Sequence, residues 1–311
     1  MLGSDRLRAL LADLARTRRA PGGQGAGAFL PGAAEPEASP ATGSTLAGTG
    51  TADAPGHFPP WKVSEPVGIE AFLPGGEWRN GRGAVYVHER LRSEVERPEL
   101  HWGRLDTPSE DEEELHALAA GGLTRALFLD LETGGLASSP VFLAGTMHWN
   151  GCDFVMRQYF ARHYGEEPTL LCALNEACRR FDFLVTFNGK SYDAPFLRAR
   201  ALVHGVPLEL PERHVDLLHP ARRRWKERLP DCRLQTLELY VCRRKRSGDV
   251  PSDEVPALYH DFVRRGDPYR LVPVFHHNLL DVITMGDVLR ELCAPARPRR
   301  RASWFEGLEF A

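Results

Sequence analysis

Apolar positions along this chain change their period several times, and each change marks an element. Residues 4–19 carry Leu7, Leu10, Leu11 and Leu14 at helical spacing behind Ser4, which predicts a short amphipathic helix over residues 1–20. From Pro21 to Pro60, 25 of 40 residues are Gly, Ala or Pro and six are Ser or Thr. Such a stretch buries too little apolar surface to offset the entropy of ordering it, so residues 21–60 read as a disordered linker. Residues 61–120 read as a small β-rich lead-in. In LPGGEWRNGRGAVYVHERL, Gly75-Gly76 and Asn80-Gly81 punctuate short apolar runs as turns do between strands. The acidic run Glu110 to Glu114 fits a solvated connection or a helix start.

From Arg125 the pattern becomes that of a covered sheet. ALFLDLET is a short, nearly continuous apolar run, the mark of a strand covered on both faces. PVFLAGTMHW and FVMRQYFA follow closely and predict two more strands. Leu170, Leu171, Leu174, Ala177 and Cys178 predict a helix over Glu167 to Phe181, FLVTFN a strand, Ala194 to His204 a helix, and HVDLL a fifth strand. The remainder to Leu292 reads as helical. This order predicts an α/β domain over residues 121–295, a mixed five-stranded sheet flanked by helices, with a basic tail over 296–311 holding Arg297 to Arg301.

Composition narrows the functional classes. A net charge of −3 with 26% charged and 42% hydrophobic residues excludes a disordered polyelectrolyte and a strongly basic nucleic-acid coat. No apolar run approaches the ~20 residues of a membrane helix, and the charged N-terminus does not read as a secretory signal. The expectation is a cytoplasmic protein without membrane contact, with a possible protein partner for the amphipathic N-terminal helix. Six cysteines without a C-x-x-C pair argue for reduced thiols rather than a disulfide framework or structural zinc.

The chemistry concentrates at strand ends. Asp130 and Glu132, one residue apart at the end of a buried strand, leave the same face of the sheet. Adjacent carboxylates in an apolar setting repel each other, and a divalent cation relieves both the repulsion and the burial. Thr133-Gly134-Gly135 adds a turn that a ligand can approach closely. In TFNGKSYDAPFL a turn at Asn188-Gly189 precedes Asp193 in the first turn of a helix. In VFHHNLLDVITMGDVL, Asp281 shares a helical face with His277, and a histidine beside a carboxylate is either a satisfied core pair or a general base. Between Arg222 and Arg246 ten basic residues meet three acids. With Trp225 among them, Arg222, Arg223, Arg224 and Lys226 are candidates for a nucleic-acid track with an aromatic for stacking. Asn188 and Lys190 are candidates for contacts to a nucleotide sugar or phosphate. Asp216 and Glu238 are given structural roles.

Taken in order, DLETGG, FNGKSYDAPFL and HNLLDV resemble the three exonuclease motifs of the DEDD superfamily, which has the ribonuclease H-like, DnaQ-type exonuclease fold. In detail they resemble the YprB-type ribonuclease H-like family, and the LPGGEWRNGRGAVYVHER stretch resembles its lead-in. The resemblance spans roughly residues 70–292. It implies that Asp130, Glu132, Asp193 and Asp281 hold two Mg²⁺ or Mn²⁺ ions at one end of the sheet, one ion activating the attacking water and the other stabilising the departing 3′ oxygen. It also implies a histidine that takes the proton from water. The family's histidine group places that residue where His276 stands, and its tyrosine group places the equivalent residue where His277 stands. The i,i+4 geometry favours His277, with His276 in reserve. The implied activity is a metal-dependent 3′–5′ exonuclease on DNA or RNA. The alternatives are a structure-specific endonuclease and a non-catalytic nucleic-acid-binding module.

Overall fold

The computed structural model of the protein describes residues 68–96, 102, 105–108, 112–136 and 138–294. The helix, linker and tail expected at residues 1–20, 21–60 and 296–311 lie outside the described residues. The lead-in opens with β1 (Gly76–Asn80) and β2 (Gly83–Leu91), an antiparallel hairpin closed by Gly81-Arg82. Asn80 holds that turn by accepting from the Arg82 N–H at 2.8 Å. Helices α1 (Arg92–Val95) and α2 (Glu113–Gly121) lead to the meander of β3 (Ala126–Thr133), β4 (Val141–Trp149) and β5 (Phe154–Phe160). Then α3 (Glu167–Cys178), β6 (Phe183–Thr186), α4 (Asp193–Val203) and β7 (Arg213–Asp216) alternate. The chain continues through α5 (Leu218–Trp225), α6 (Leu234–Tyr240), α7 (Val255–Arg265) and α8 (Val272–Cys293).

The sheet order is β1-β2-β5-β4-β3-β6-β7, with β6 parallel to β3 and β7 parallel to β6. Among the described residues this corrects the expected five-stranded sheet to seven strands. The five expected strands are β3 to β7, and the lead-in extends the same sheet instead of standing beside it. An edge strand offers unpaired N–H and C=O groups that template another strand. Here β2 takes that place along β5, from Tyr86 opposite Phe160 to Leu91 opposite Val155.

Helices cover both faces, which is why the strands read as unbroken apolar runs. On one face Phe128, Met147, Met156 and Val185 pack with Ile283, Val288 and Leu289 of α8. On the other, Leu127, Leu129, Ala144 and Leu184 pack with Leu170, Leu171 and Leu174 of α3 and Leu197 of α4. A third cluster stacks Phe142 on Tyr259 of α7, ring centroids 4.0 Å apart, beside Phe160 and Phe275. Among the described residues no helix is long and apolar enough to cross a membrane.

One glycine sets how closely α8 approaches the sheet. Gly145 pairs with Asp130 across the β3–β4 ladder, and a Cβ there would lie 2.1 Å from Asn278 Oδ1 on α8. The residue opposite the buried acid must therefore lack a side chain.

Candidate metal and active site

On β3 the acids Asp130 and Glu132 face α8, while Leu129 and Leu131 point to the layer of α3 and α4. The β3–β4 register shifts between Glu132 and Thr133, a bulge that frees the strand end from regular pairing. Asn278 Nδ2 donates to Asp130 Oδ2 at 2.9 Å and to the Asp130 carbonyl at 3.2 Å. Gln158 of β5 fixes that amide in turn, donating to Asn278 Oδ1 at 2.9 Å.

Asp193 is positioned by the loop after β6. Asp216, at the end of β7, accepts from the backbone N–H groups of Asn188 at 2.7 Å and Lys190 at 3.0 Å, and Asn188 adopts a left-handed φ of 64°. The loop thus folded delivers Asp193 to the first turn of α4, where its carboxylate accepts from the Leu131 N–H between the two β3 acids. Asp216 keeps its structural role, and Asn188 serves the turn through its backbone.

The electrostatics show how far these acids converge. Burial and the charges of Asp281, Glu132 and Asp193 hold the Asp130 carboxyl well above the usual carboxylate range. Burial raises Glu132 to about 8, with Asp281 and Asp193 adding to the rise while His277 opposes it. Burial raises Asp193 to about 7, against the hydrogen bond from Leu131. Four carboxylates from β3, α4 and α8 therefore share one electrostatic environment.

From α8, His277 is 4% exposed and reaches the same place. Its Nε2 lies 3.4 Å from Asp281 Oδ2 and 4.0 Å from Glu132 Oε1, and its Nδ1 lies 2.7 Å from Asp249 Oδ1. Burial alone would lower the ring's pKa. The hydrogen bond to Asp249 and the charges of Asp281 and Glu132 overcome it and raise His277 to about 9. Its neighbour His276 is half-buried, and burial holds its ring below the ordinary value.

Arg246, in the loop between α6 and α7, donates to Asp281 Oδ1, to Glu238 Oε2 and, at 3.3 Å, to Asp249 Oδ2. Glu238 accordingly has a structural part, neutralising a buried guanidinium. Sequence reading missed Asp249, Arg246 and Asn278 as parts of the site. Asn278 follows the two histidines and shares the motif helix, so its proximity was readable. Asp249 sits alone in a Gly-Asp-Val-Pro loop and carries no periodic signal.

The donor set fits a divalent cation. Asp130, Glu132, Asp193, Asp249 and Asp281 outnumber His277 and Arg246 around them, and a cation would offset both the burial and the like charge that hold Asp130 and Glu132 above their ordinary values. One atom each of Glu132, His277 and Asp281 lies within 4.8 Å of the others, a group able to hold an ion. The imidazole thus stands beside a donor set whose carboxylate oxygens suit Mg²⁺ or Mn²⁺.

The basic track is corrected in part. Trp225 is 7% exposed and packs in the core, so it offers no free face for stacking. Leu218, Ala221 and Trp225 are one helical stripe of α5 turned inward. Arg224 donates to the carbonyls of Leu292 at 2.7 Å and Ala294 at 2.9 Å, closing the end of α8, and Arg223 pairs with Glu112. Arg222, Lys226 and Lys190 are exposed.

Comparison with known proteins places this arrangement in a class. Residues 127–293, more than half of the chain, match the family model of the RNase H superfamily, and the chain belongs to that superfamily. It is 34% identical over 212 residues to the uncharacterized protein YprB of Bacillus subtilis (strain 168), in line with the motif resemblance. That alignment takes in 63% of this chain and 51% of YprB, so the chain spans about half the length of that relative. A solved structure, the family B DNA polymerase of the hyperthermophilic archaeon Pyrobaculum calidifontis, aligns with 54% of this chain and 24% of its own at a TM-score of 0.44 and 20% identity.

Proposed function

We propose that this protein is a divalent-metal-dependent nuclease that hydrolyses phosphodiester bonds, acting from 3′ ends of DNA or RNA as an exonuclease. The observation that carries the reading is the convergence of Asp130, Glu132, Asp193 and Asp281 from three distant segments, where burial, together with like charge at Asp130 and Glu132, raises the pKa values of Asp130, Glu132 and Asp193. Divalent ions bound there would polarise the scissile phosphate and lower the pKa of attacking water. The four carboxylates are the holders. Asn278 orients Asp130 by its Oδ2, and Arg246 takes Asp281 Oδ1 and leaves Oδ2 facing the site. With bound cations offsetting the acids that keep its ring protonated, His277 would accept the proton at Nε2, the ring atom turned toward Glu132 and Asp281. Lys190, exposed three residues before Asp193, and Arg222 with Lys226 on α5 meet the phosphate backbone.

The test uses single-stranded DNA and RNA labelled at the 5′ end, with Mg²⁺ or Mn²⁺, and Asp130→Ala as control. A ladder shortening from the 3′ end, lost in Asp130→Ala, supports the reading. Discrete internal products make the protein an endonuclease. Strand binding without released nucleotide, equal in both chains, makes it a binding module.

A further inference from the structure

The segment joining α6 to α7 is fastened along α8 by two arginines. Arg244 donates to Asp287 Oδ2, to Glu96 Oε2 at 3.0 Å and to Thr284 Oγ1 at 3.2 Å. Arg246, with its side chain 8% exposed, bridges Asp281, Glu238 and Asp249. Asp281 and Asp287 stand six positions apart on α8, so the loop runs beside the helix that carries His277. The fastening sets down one carboxylate, Asp249, against the far nitrogen of that histidine. Building on the nuclease reading, we propose that Asp249 is a positioning residue for phosphodiester hydrolysis, holding the Nδ1–H of His277 so that Nε2 faces the gap between Glu132 and Asp281. A neutral imidazole has one protonated nitrogen, and the partner of that nitrogen decides which atom keeps a free lone pair. Asp249 Oδ1, 2.7 Å from Nδ1, keeps the proton on that nitrogen, so that when the ring is neutral the lone pair is at Nε2. Arg246 holds Asp249 by its other oxygen and Asp281 by Oδ1, so base and acid are set by one guanidinium.

A merely structural Asp249 would also tie the loop to α8, so the test needs a readout that packing does not move. Full-length wild type, Asp249→Ala and the near-isosteric Asp249→Asn are compared with Mn²⁺ on a 5′-labelled oligonucleotide. The imidazole nitrogens of His277 are read by ¹H–¹⁵N NMR on the metal-free chains. Wild type is expected to show a slowly exchanging Nδ1 proton on His277 that is lost in Asp249→Ala. Expected with it is a kcat lower by about 10- to 100-fold, with KM changed less than threefold. Asp249→Asn, whose amide oxygen can still accept from Nδ1–H, is expected to recover part of that kcat. An active wild type matched by Asp249→Ala in kcat, or an unchanged Nδ1 resonance in that variant, overturns the positioning role and leaves the nuclease reading standing. A wild type that binds Mn²⁺ and releases no nucleotide overturns the nuclease reading and this role with it.

Discussion

Glu132 and His277 are opposite answers to the same crowding: burial and like charge push protons onto the carboxylate, and neighbouring acids keep one on the ring. Both folded pKa values, about 8 and about 9, lie above those of the free groups, as does that of Asp193 at about 7. A group raised on folding adds stability in full below its unfolded pKa and loses it as pH climbs through the folded value. The metal-free protein should therefore melt at progressively lower temperature between pH 5 and pH 9, and Mn²⁺ should restore more of that loss at pH 8 than at pH 6. Differential scanning fluorimetry with and without Mn²⁺ checks this, and a Mn²⁺ effect that is flat with pH contradicts it. Replacing His277 by Ala should lower kcat by about 10²- to 10⁴-fold, the span of a lost general base. Replacing His276 should change it only a few-fold, since His277 is the ring that reaches Glu132 and Asp281. Asp130 and Glu132 stood out by their spacing on a buried strand, whereas Asp193 and Asp281 were joined to them only through the order of the three motifs. Choosing between the histidines needed the phase of α8, and Asp249 needed the loop, whose path no residue period encodes.

At the scale of elements, the site depends on how near α8 comes to β3 and β4. The contact is made at Gly145, where an added methyl group would collide with Asn278 Oδ1 and, through it, move the amide that holds Asp130. Gly145→Ala is expected to cost about 1–3 kcal/mol, the usual penalty of overpacking, and to reduce nuclease activity by more than the lost folded fraction explains. Urea denaturation and the specific activity of the remaining folded protein separate the two effects. Helix α5 teaches the opposite lesson about reading charge. Its run of arginines drew attention to a surface, yet Leu218, Ala221 and Trp225 recur at core spacing and two of the arginines are committed to Glu112 and to the end of α8. The apolar period, not the charge count, recorded where that helix points. Five strands were visible as apolar runs and the lead-in as β-rich from its turn pairs, whereas the joining of lead-in to sheet was not, because hydrogen bonds between strands leave no trace in side-chain pattern.

Across the whole molecule, that joining makes the lead-in part of the scaffold that aims the site. Strand β2 lies along β5, the strand whose Gln158 orients Asn278. Beyond it, α1 sends Arg92 to Asp287 on α8 at 2.7 Å, with side-chain exposures of 8% and 5%. The turn of the hairpin reaches the far end of α4, where Arg82 donates to the carbonyls of His204 and Gly205 at 3.0 Å. The two helices that carry Asp193 and Asp281 are thus each held from the lead-in. Removing the Arg92 side chain should destabilise the protein by about 3 kcal/mol, the lower end for breaking a buried pair because Arg244 remains on Asp287. If the lead-in and the layers behind it are one cooperative unit, the loss appears as a single shifted unfolding transition, and hydrogen exchange in β2 accelerates together with that in β5 and α8. Two resolved transitions, or faster exchange confined to β1 and β2, would instead mark the hairpin as an independent addition whose hold on α4 and α8 is incidental to the site.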